Sequence, residues 1–179
     1  MALKATIFKA ELQIADMDRH YYQNHTLTIA LHPSETDERM MIRILAFALH
    51  AHEQLVFTKG ISTDDEPDLW QKNYSDEIEL WIDLGQPDEK RIRKACGRSR
   101  AVVLYNYGGR TTDIWWEQSK GKLSRFDNLS IRNISEQSTK AMAEMAQRSM
   151  TLHCTIQDGH VMVSDDTHSI EVAIEERKP

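Results

Sequence analysis

Little in this 179-residue sequence is of the kind that staples or anchors a chain. Its two cysteines, Cys96 and Cys154, stand in no Cys-x-x-Cys context, which excludes a disulfide framework and fits a reducing cytosol. No Pro/Gly/Ser-rich linker, internal repeat or low-complexity run divides it, so one domain over residues 1–179 is expected. The longest near-apolar stretch, Met40 to Leu49, is broken by Arg43 and falls far short of a membrane span. The N-terminus carries no apolar signal core. Cations are outnumbered as well: 22 Lys+Arg against 28 Asp+Glu leave a formal net charge of −6. That deficit excludes a broad cationic face coating polyanions by counterion release, though not a local cationic groove. What is there, 40% hydrophobic and 28% charged residues, describes a globular, cytoplasmic protein with no membrane partner.

Periodicity predicts a mixed α/β domain. Ala10, Leu12 and Ile14 alternate with polar neighbours, as do Leu27, Ile29 and Leu31, which predicts an antiparallel strand pair joined by a turn over Asp16 to Asn24. Ser34 is the expected N-cap of a helix running to about His52, with Glu35, Asp37 and Glu38 at its positive end. Short elements at Gln54 to Phe57 and Asp68 to Trp70 flank an acidic loop. An alternating strand, Glu77 to Leu84, carries Ile78, Leu80 and Ile82 toward the core and Glu77, Glu79, Trp81 and Asp83 on the other face. A helix over Asp88 to Cys96, a buried strand at Val102 to Leu104 and a helix over Asp113 to Ser119 follow. A strand at Leu129 to Ile134 comes next, then a helix from Ser135 to about Arg148. Strands at Met150 to Gln157, His160 to Ser164 and His168 to Ile174 close the chain, the first two joined by an Asp158-Gly159 turn.

The chemistry concentrates between Gly60 and Arg100. Asp83 at the end of one strand, beside Asp68 on a neighbouring short one, is a way to present oxygen ligands to Mg²⁺, a hard cation that keeps several waters. A lysine beside such a water could orient or deprotonate it for attack on a phosphodiester. This pattern resembles the PD-(D/E)xK nuclease superfamily, whose core runs helix, three strands, helix, strand. The resemblance maps that restriction-endonuclease-like core onto about residues 34–107, in a mixed sheet flanked by helices with added β-hairpins at both ends. It implies Asp68 and Asp83 as metal ligands and catalytic carboxylates, with Glu38 assisting from the first helix. Gly85 stands two residues after Asp83, where the superfamily has its lysine. Lys94 on the following helix is the substitute of first choice and Lys90 of second, with Gln86 as a polar aid.

Longer blocks carry a closer resemblance. The opening Lys4-Ala5-Thr6-Ile7-Phe8-Lys9-Ala10, the block His32-Pro33-Ser34-Glu35-Thr36-Asp37-Glu38-Arg39-Met40-Met41, Glu66-Pro67-Asp68-Leu69-Trp70 and Trp81-Ile82-Asp83-Leu84-Gly85-Gln86-Pro87 look like the YaeQ family of small bacterial proteins. That likeness spans essentially the whole chain and implies a variant of the PD-(D/E)xK core. It names a fold better than a reaction.

Six of the 22 cations, Lys90, Arg91, Arg93, Lys94, Arg98 and Arg100, fall within eleven positions. Lys90, Arg91 and Arg93 would contact phosphate if this helix edges a substrate groove; otherwise the run is a solvated helix face. Two functions therefore stand: a Mg²⁺-dependent phosphodiesterase acting on DNA or RNA, and a non-catalytic nucleic-acid-binding or regulatory module with a degenerate site. A protein–protein adaptor using Trp70, Trp81 or Trp115 is a third. The eight histidines lack the spacing of a helical zinc pair, and Cys96 and Cys154 are expected to be buried thiols.

Overall fold

The computed structural model describes residues 4–59 and 65–179. The acidic loop expected after Phe57 lies partly outside the described residues. In chain order the elements are β1 (Thr6–Asp16), β2 (Tyr21–Leu31), α1 (Asp37–Leu49), β3 (Leu55–Phe57), β4 (Leu69–Lys72), β5 (Ile78–Leu84), α2 (Glu89–Arg98) and β6 (Ser99–Asn106). There follow α3 (Arg110–Leu123), β7 (Leu129–Ile134), α4 (Glu136–Ala143), β8 (Ser149–Gln157), β9 (His160–Ser164), β10 (Ser169–Val172) and β11 (Ile174–Lys178). The result is a mixed α/β fold with two mixed sheets flanked by helices. Two compact units form, one from Met1–Leu49 with Gln137–Ala173, the other from His50–Glu136 with Ile174–Pro179. Among the described residues no helix is long and apolar enough to cross a membrane.

The first unit is built on β1. Its alternation buries Phe8, Ala10, Leu12 and Ile14 and exposes Lys9, Glu11 and Gln13. It pairs antiparallel with β2, from Thr6↔Leu31 to Asp16↔Tyr21, and parallel with β8, from Lys9↔Ser149 to Asp16↔Ile156. The hairpins expected at the two chain ends thus merge into one five-stranded sheet, ordered β10-β9-β8-β1-β2. Met41, Ile44, Leu45 and Ala48 of α1 close over Leu12, Leu152, Cys154 and Val163 on its apolar face. This burial explains why α1 is apolar nearly all round.

The cap of α1 corrects the expectation. Thr36 Oγ1 accepts the Arg39 N–H (3.1 Å), whereas Ser34 turns to the Nδ1 of His32, its N–H donating at 3.1 Å. Glu35 is freed from a helix-end role and serves α1 from the side. Its Oε1 and Oε2 receive Arg43 Nη2 (2.6 Å) and Nε (2.9 Å), and Oε2 also receives Arg39 Nη1 (2.9 Å). That forked pair lets a guanidinium stand 6% exposed in an otherwise apolar helix. The helix α4 stops at Ala143, short of Arg148, because the segment after it must reach β1: Arg148 Nε donates to Ile7 O (3.0 Å) and Lys9 N to Arg148 O (2.9 Å).

The second unit holds a six-stranded sheet ordered β11-β7-β6-β5-β4-β3. Its β5, β6 and β7 run parallel, joined by α2 and α3 as crossovers, while β3, β4 and β11 run antiparallel at the edges. Parallel strands are buried on both faces, and β5 is buried on both from Trp81 to Leu84. Trp81, 2% exposed, packs with Ile92 and Ala95 of α2 and with Val102, Leu104, Leu123, Leu129 and Ile131. The last expected strand, His168 to Ile174, divides at Ala173 into β10 of one sheet and β11 of the other. The expected nuclease-like core takes its helix α1 from one unit and its strands from the other.

A glycine at the start of α3 is required. Gly109, its N-cap, has φ 63° and ψ −126°, a conformation that side chains clash with, and a Cβ there would collide with the Glu136 carboxylate. Gly109→Ala is expected to cost about 2 kcal/mol, read as a lower urea midpoint at unchanged slope. A midpoint within error of the parent would contradict this geometry.

Candidate functional site

The sequence-predicted residues fall where β5 ends, under α2 and beside the residues leading into β4. Asp68 immediately precedes β4. Its N–H donates to Ile82 O (3.0 Å), its carbonyl accepts from Thr58 N (3.2 Å), and its Oδ2 accepts the Leu84 N–H (2.9 Å). The side chain, in a residue 3% exposed, thereby extends the β4–β5 ladder past its last backbone pair, Leu69↔Ile82. Asp83 occupies the neighbouring strand and is 5% exposed. The indole N–H of Trp81 donates to its Oδ2 (3.0 Å), and Arg91 grips both oxygens, Nε to Oδ2 at 3.0 Å and Nη2 to Oδ1 at 3.1 Å. Arg91 Nη2 also donates to Glu66 O (3.0 Å).

Arg91 is the first of three cations that act together. Arg91, Lys94 and Arg98 recur at helical spacing on one face of α2. Lys94 Nζ meets Asp65 Oδ1 (3.0 Å), which holds the Asp65 carboxyl below its ordinary range, and Arg98 Nη1 donates to Asp65 O (2.8 Å). Arg98 and Arg91 also lie 5.2 and 6.0 Å from the Trp81 ring centre, on its cation-attracting face. This face of α2 thus clamps residues 65–66 against the end of β5. The helix is positioned by Asp88, whose Oδ1 caps it by accepting Arg91 N (2.8 Å). Lys90 and Arg93 face solvent, Arg93 within 3.8 Å of Glu89.

The remaining expected residues have other partners. Gln86 is exposed and donates from Nε2 to Tyr107 O (3.3 Å), bridging the loops after β5 and β6. Glu38 belongs to the other unit, where its Oε2 accepts from Thr139 Oγ1 (2.8 Å). The structure thus brings Asp68, Asp83 and Arg91 together, with Lys94 one turn further along α2. Among the described residues no three His, Cys, Asp or Glu side chains form a group able to hold a metal. The donor set does not fit Mg²⁺ as arranged. Mg²⁺ asks for near-octahedral oxygens at about 2.1 Å, and here a guanidinium and an indole N–H already occupy the Asp83 carboxylate.

Three polar groups near the ends of the parallel strands escaped sequence reasoning. Tyr105, fully buried, shares a 2.6 Å hydrogen bond with His50 Nε2 and accepts from Arg132 Nη1 (3.1 Å). Asn106, also fully buried, donates to Gly85 O (2.7 Å) and accepts from Arg177 Nη1 (3.3 Å). Arg177 further donates to Thr112 O (3.1 Å) and pairs with Asp113, tying β11 to the start of α3. Only the apolar run around Tyr105 hinted at burial; nothing local linked these residues to His50, Arg132 or Arg177. Cys154 is buried as expected, whereas Cys96 is half-buried. Burial pushes the thiol of Cys96 up to about 11 and, with the Asp16 carboxylate adding, that of Cys154 up to about 12.

Residues 1–174 match the family model described as "YaeQ protein". A relative in Escherichia coli (strain K12), "Uncharacterized protein YaeQ", is 48% identical over 172 residues, covering 96% of this chain and 95% of that one. The crystal structure of the YaeQ protein from Xanthomonas axonopodis pv. citri is similar at a TM-score of 0.94 and 50% identity, over 97% of this chain and 98% of that one. The YaeQ protein structure from Pseudomonas syringae also gives 0.94, at 34% identity, over 98% and 97% of the two chains.

Proposed function

This chain belongs to the YaeQ family, and from its site we propose a non-catalytic binding or regulatory module on a variant of the PD-(D/E)xK core. The order α1, β3, β4, β5, α2, β6 supports the core, as does the strand order β3-β4-β5-β6 with β5 and β6 parallel. Asp83 at the end of β5 and Asp68 just before β4 would take its two acidic positions.

One observation carries the loss of catalysis: the forked Asp83–Arg91 pair, with side chains 7% and 27% exposed. A guanidinium sits where a hydrolase of this design needs a metal, and the chain has Gly85 where it needs a lysine. Lys94, the substitute, faces Asp65 instead. Nucleic-acid affinity through α2 is weak in this reading. Arg91, Lys94 and Arg98 are engaged within the fold, and two remaining cations, Lys90 and Arg93, confer only a shallow salt dependence of about two phosphate contacts.

The test uses Trp81 as a reporter, since its indole N–H rests on Asp83. Titration with Mg²⁺ or Mn²⁺, followed by tryptophan fluorescence against a Trp81→Phe control, is expected to give no saturable change. Mixed single- and double-stranded DNA and RNA are expected to stay intact in the same solutions. A second reading, the Mg²⁺-dependent phosphodiesterase acting on DNA or RNA, draws on the adjacency of Asp68 and Asp83 beneath a basic helix. Metal-dependent cleavage that disappears in Asp83→Asn would establish it and end the first.

A further inference from the structure

The outer face of the first unit's sheet carries a groove of about 580 Å³. Its walls come from one row of side chains running across β8, β1 and β2, His153–Gln13–Asn24, and from the next row, Thr155–Ala15–Tyr22. These positions alternate with the core residues Leu12, Ile14, Leu152 and Cys154, so the same pleat that builds the hydrophobic face presents them to solvent.

Three features select the occupant. First, Gln13, Tyr22, Asn24, His153 and Thr155 make no side-chain hydrogen bond or ion pair to other described residues, so their donors and acceptors are available together. Some other exposed polar side chains of this sheet are engaged, as Thr26 is with Glu11 and His160 with Glu171. Second, no Lys, Arg, Asp or Glu lines the groove. Phosphate-bearing ligands draw their affinity from cations, and none is there. Apolar ligands and amphipathic helices need an apolar floor, and the lining here is predominantly polar: amide, hydroxyl and imidazole. Third, Tyr22, 57% exposed as a residue, brings an aromatic ring to one wall beside hydrogen-bonding groups.

Amides that both donate and accept match hydroxyl groups, which also do both. An exposed phenol ring matches the C–H face of a pyranose. The volume lies within the usual range for a small-ligand site. We propose that this groove binds an uncharged oligosaccharide, with Tyr22 stacked on a sugar ring and Gln13, Asn24 and His153 bonding its hydroxyls. This site lies wholly in the first unit and stands or falls apart from the reading of Asp83.

The experiment titrates the full chain, labelled with ¹⁵N, with maltotetraose, cellotetraose and tetra-N-acetylchitotetraose to about 10 mM. An uncharged peptide and a single-stranded oligonucleotide are titrated in parallel. At least one tetrasaccharide is expected to shift the side-chain amide signals of Gln13 and Asn24 saturably. Tyr22→Ala should weaken that binding about tenfold, the scale of one lost aromatic face, and Asn24→Ala should weaken it too. Each substitution is at an exposed position, and unchanged backbone spectra will verify the fold. The proposal is overturned if no tetrasaccharide shifts these signals, if Tyr22→Ala and Asn24→Ala leave affinity unchanged, or if only the peptide or oligonucleotide binds.

Discussion

Asp83→Ala is expected to lower the free energy of unfolding by about 3 kcal/mol, because it strips a partly buried guanidinium and a buried indole N–H of their acceptor at once. Arg91→Ala should cost a comparable amount by leaving the Asp83 carboxylate in a protein interior with Trp81 as its remaining donor. The pair makes the two losses overlap, so the double substitution should cost about 2 kcal/mol less than their sum. Urea unfolding of the four proteins measures this directly. The sign is diagnostic of function. In a metal-holding site without its metal, Asp68 and Asp83 repel one another, and removing one carboxylate relieves like charge. An Asp83→Ala protein as stable as its parent, or more so, would therefore defeat the structural reading of this pair.

Glu35→Ala should have the largest effect, about 4 kcal/mol. It removes the single carboxylate that Arg43 and Arg39 share, with the Arg43 side chain 7% and the Arg39 side chain 16% exposed. Arg43 Nη2 also donates to Ala30 O at 3.1 Å, a neutral acceptor that does not replace a carboxylate's charge. Replacing Arg43 by methionine in the same protein should recover much of the loss, since an apolar side chain of similar volume suits the face that α1 presents to the sheet. Thermal or urea unfolding of the single and double variants checks both numbers. A double variant no better than Glu35→Ala would mean that the cost came from the start of α1 and not from the stranded arginine.

Legibility in the sequence followed the range of the interactions. β7 and the Asp158-Gly159 turn were readable to the residue because alternation and turn chemistry are local. The helix expected from Asp88 begins one residue later, at Glu89, with Asp88 as its cap. The start of α1 was misread by two residues because Ser34, Thr36 and Asp37 all suit a cap. The choice fell on Thr36 only because Glu35 was needed by Arg43, eight positions on. The cover over β5 was not legible: Glu77 and Glu79 share a face with Trp81 and Asp83, yet α2 packs only on the second half of that face. In the site, Asp68 and Asp83 were found from their neighbours in sequence. Their partners were not. Arg91 looked like one cation in a basic run, and that it holds Asp83 and Glu66 depends on how α2 lies over β5, which no local spacing encodes.

The order in which the strands are used also sets a timetable for synthesis. β1 and β2 are made first, but β1 is the middle strand of its sheet and its parallel neighbour β8 begins only at Ser149. At the usual pace of a ribosome, the intervening hundred or so residues take on the order of ten seconds. During that interval the edge of β1 that will pair with β8 stays open, while β3 to β7 emerge. The early hairpin is thus a nascent segment suited to shielding by a chaperone. The two sheets take their latest strands from one stretch, β10 for one and β11 for the other, so the first closes only once Val172 is made and the second once Lys178 is.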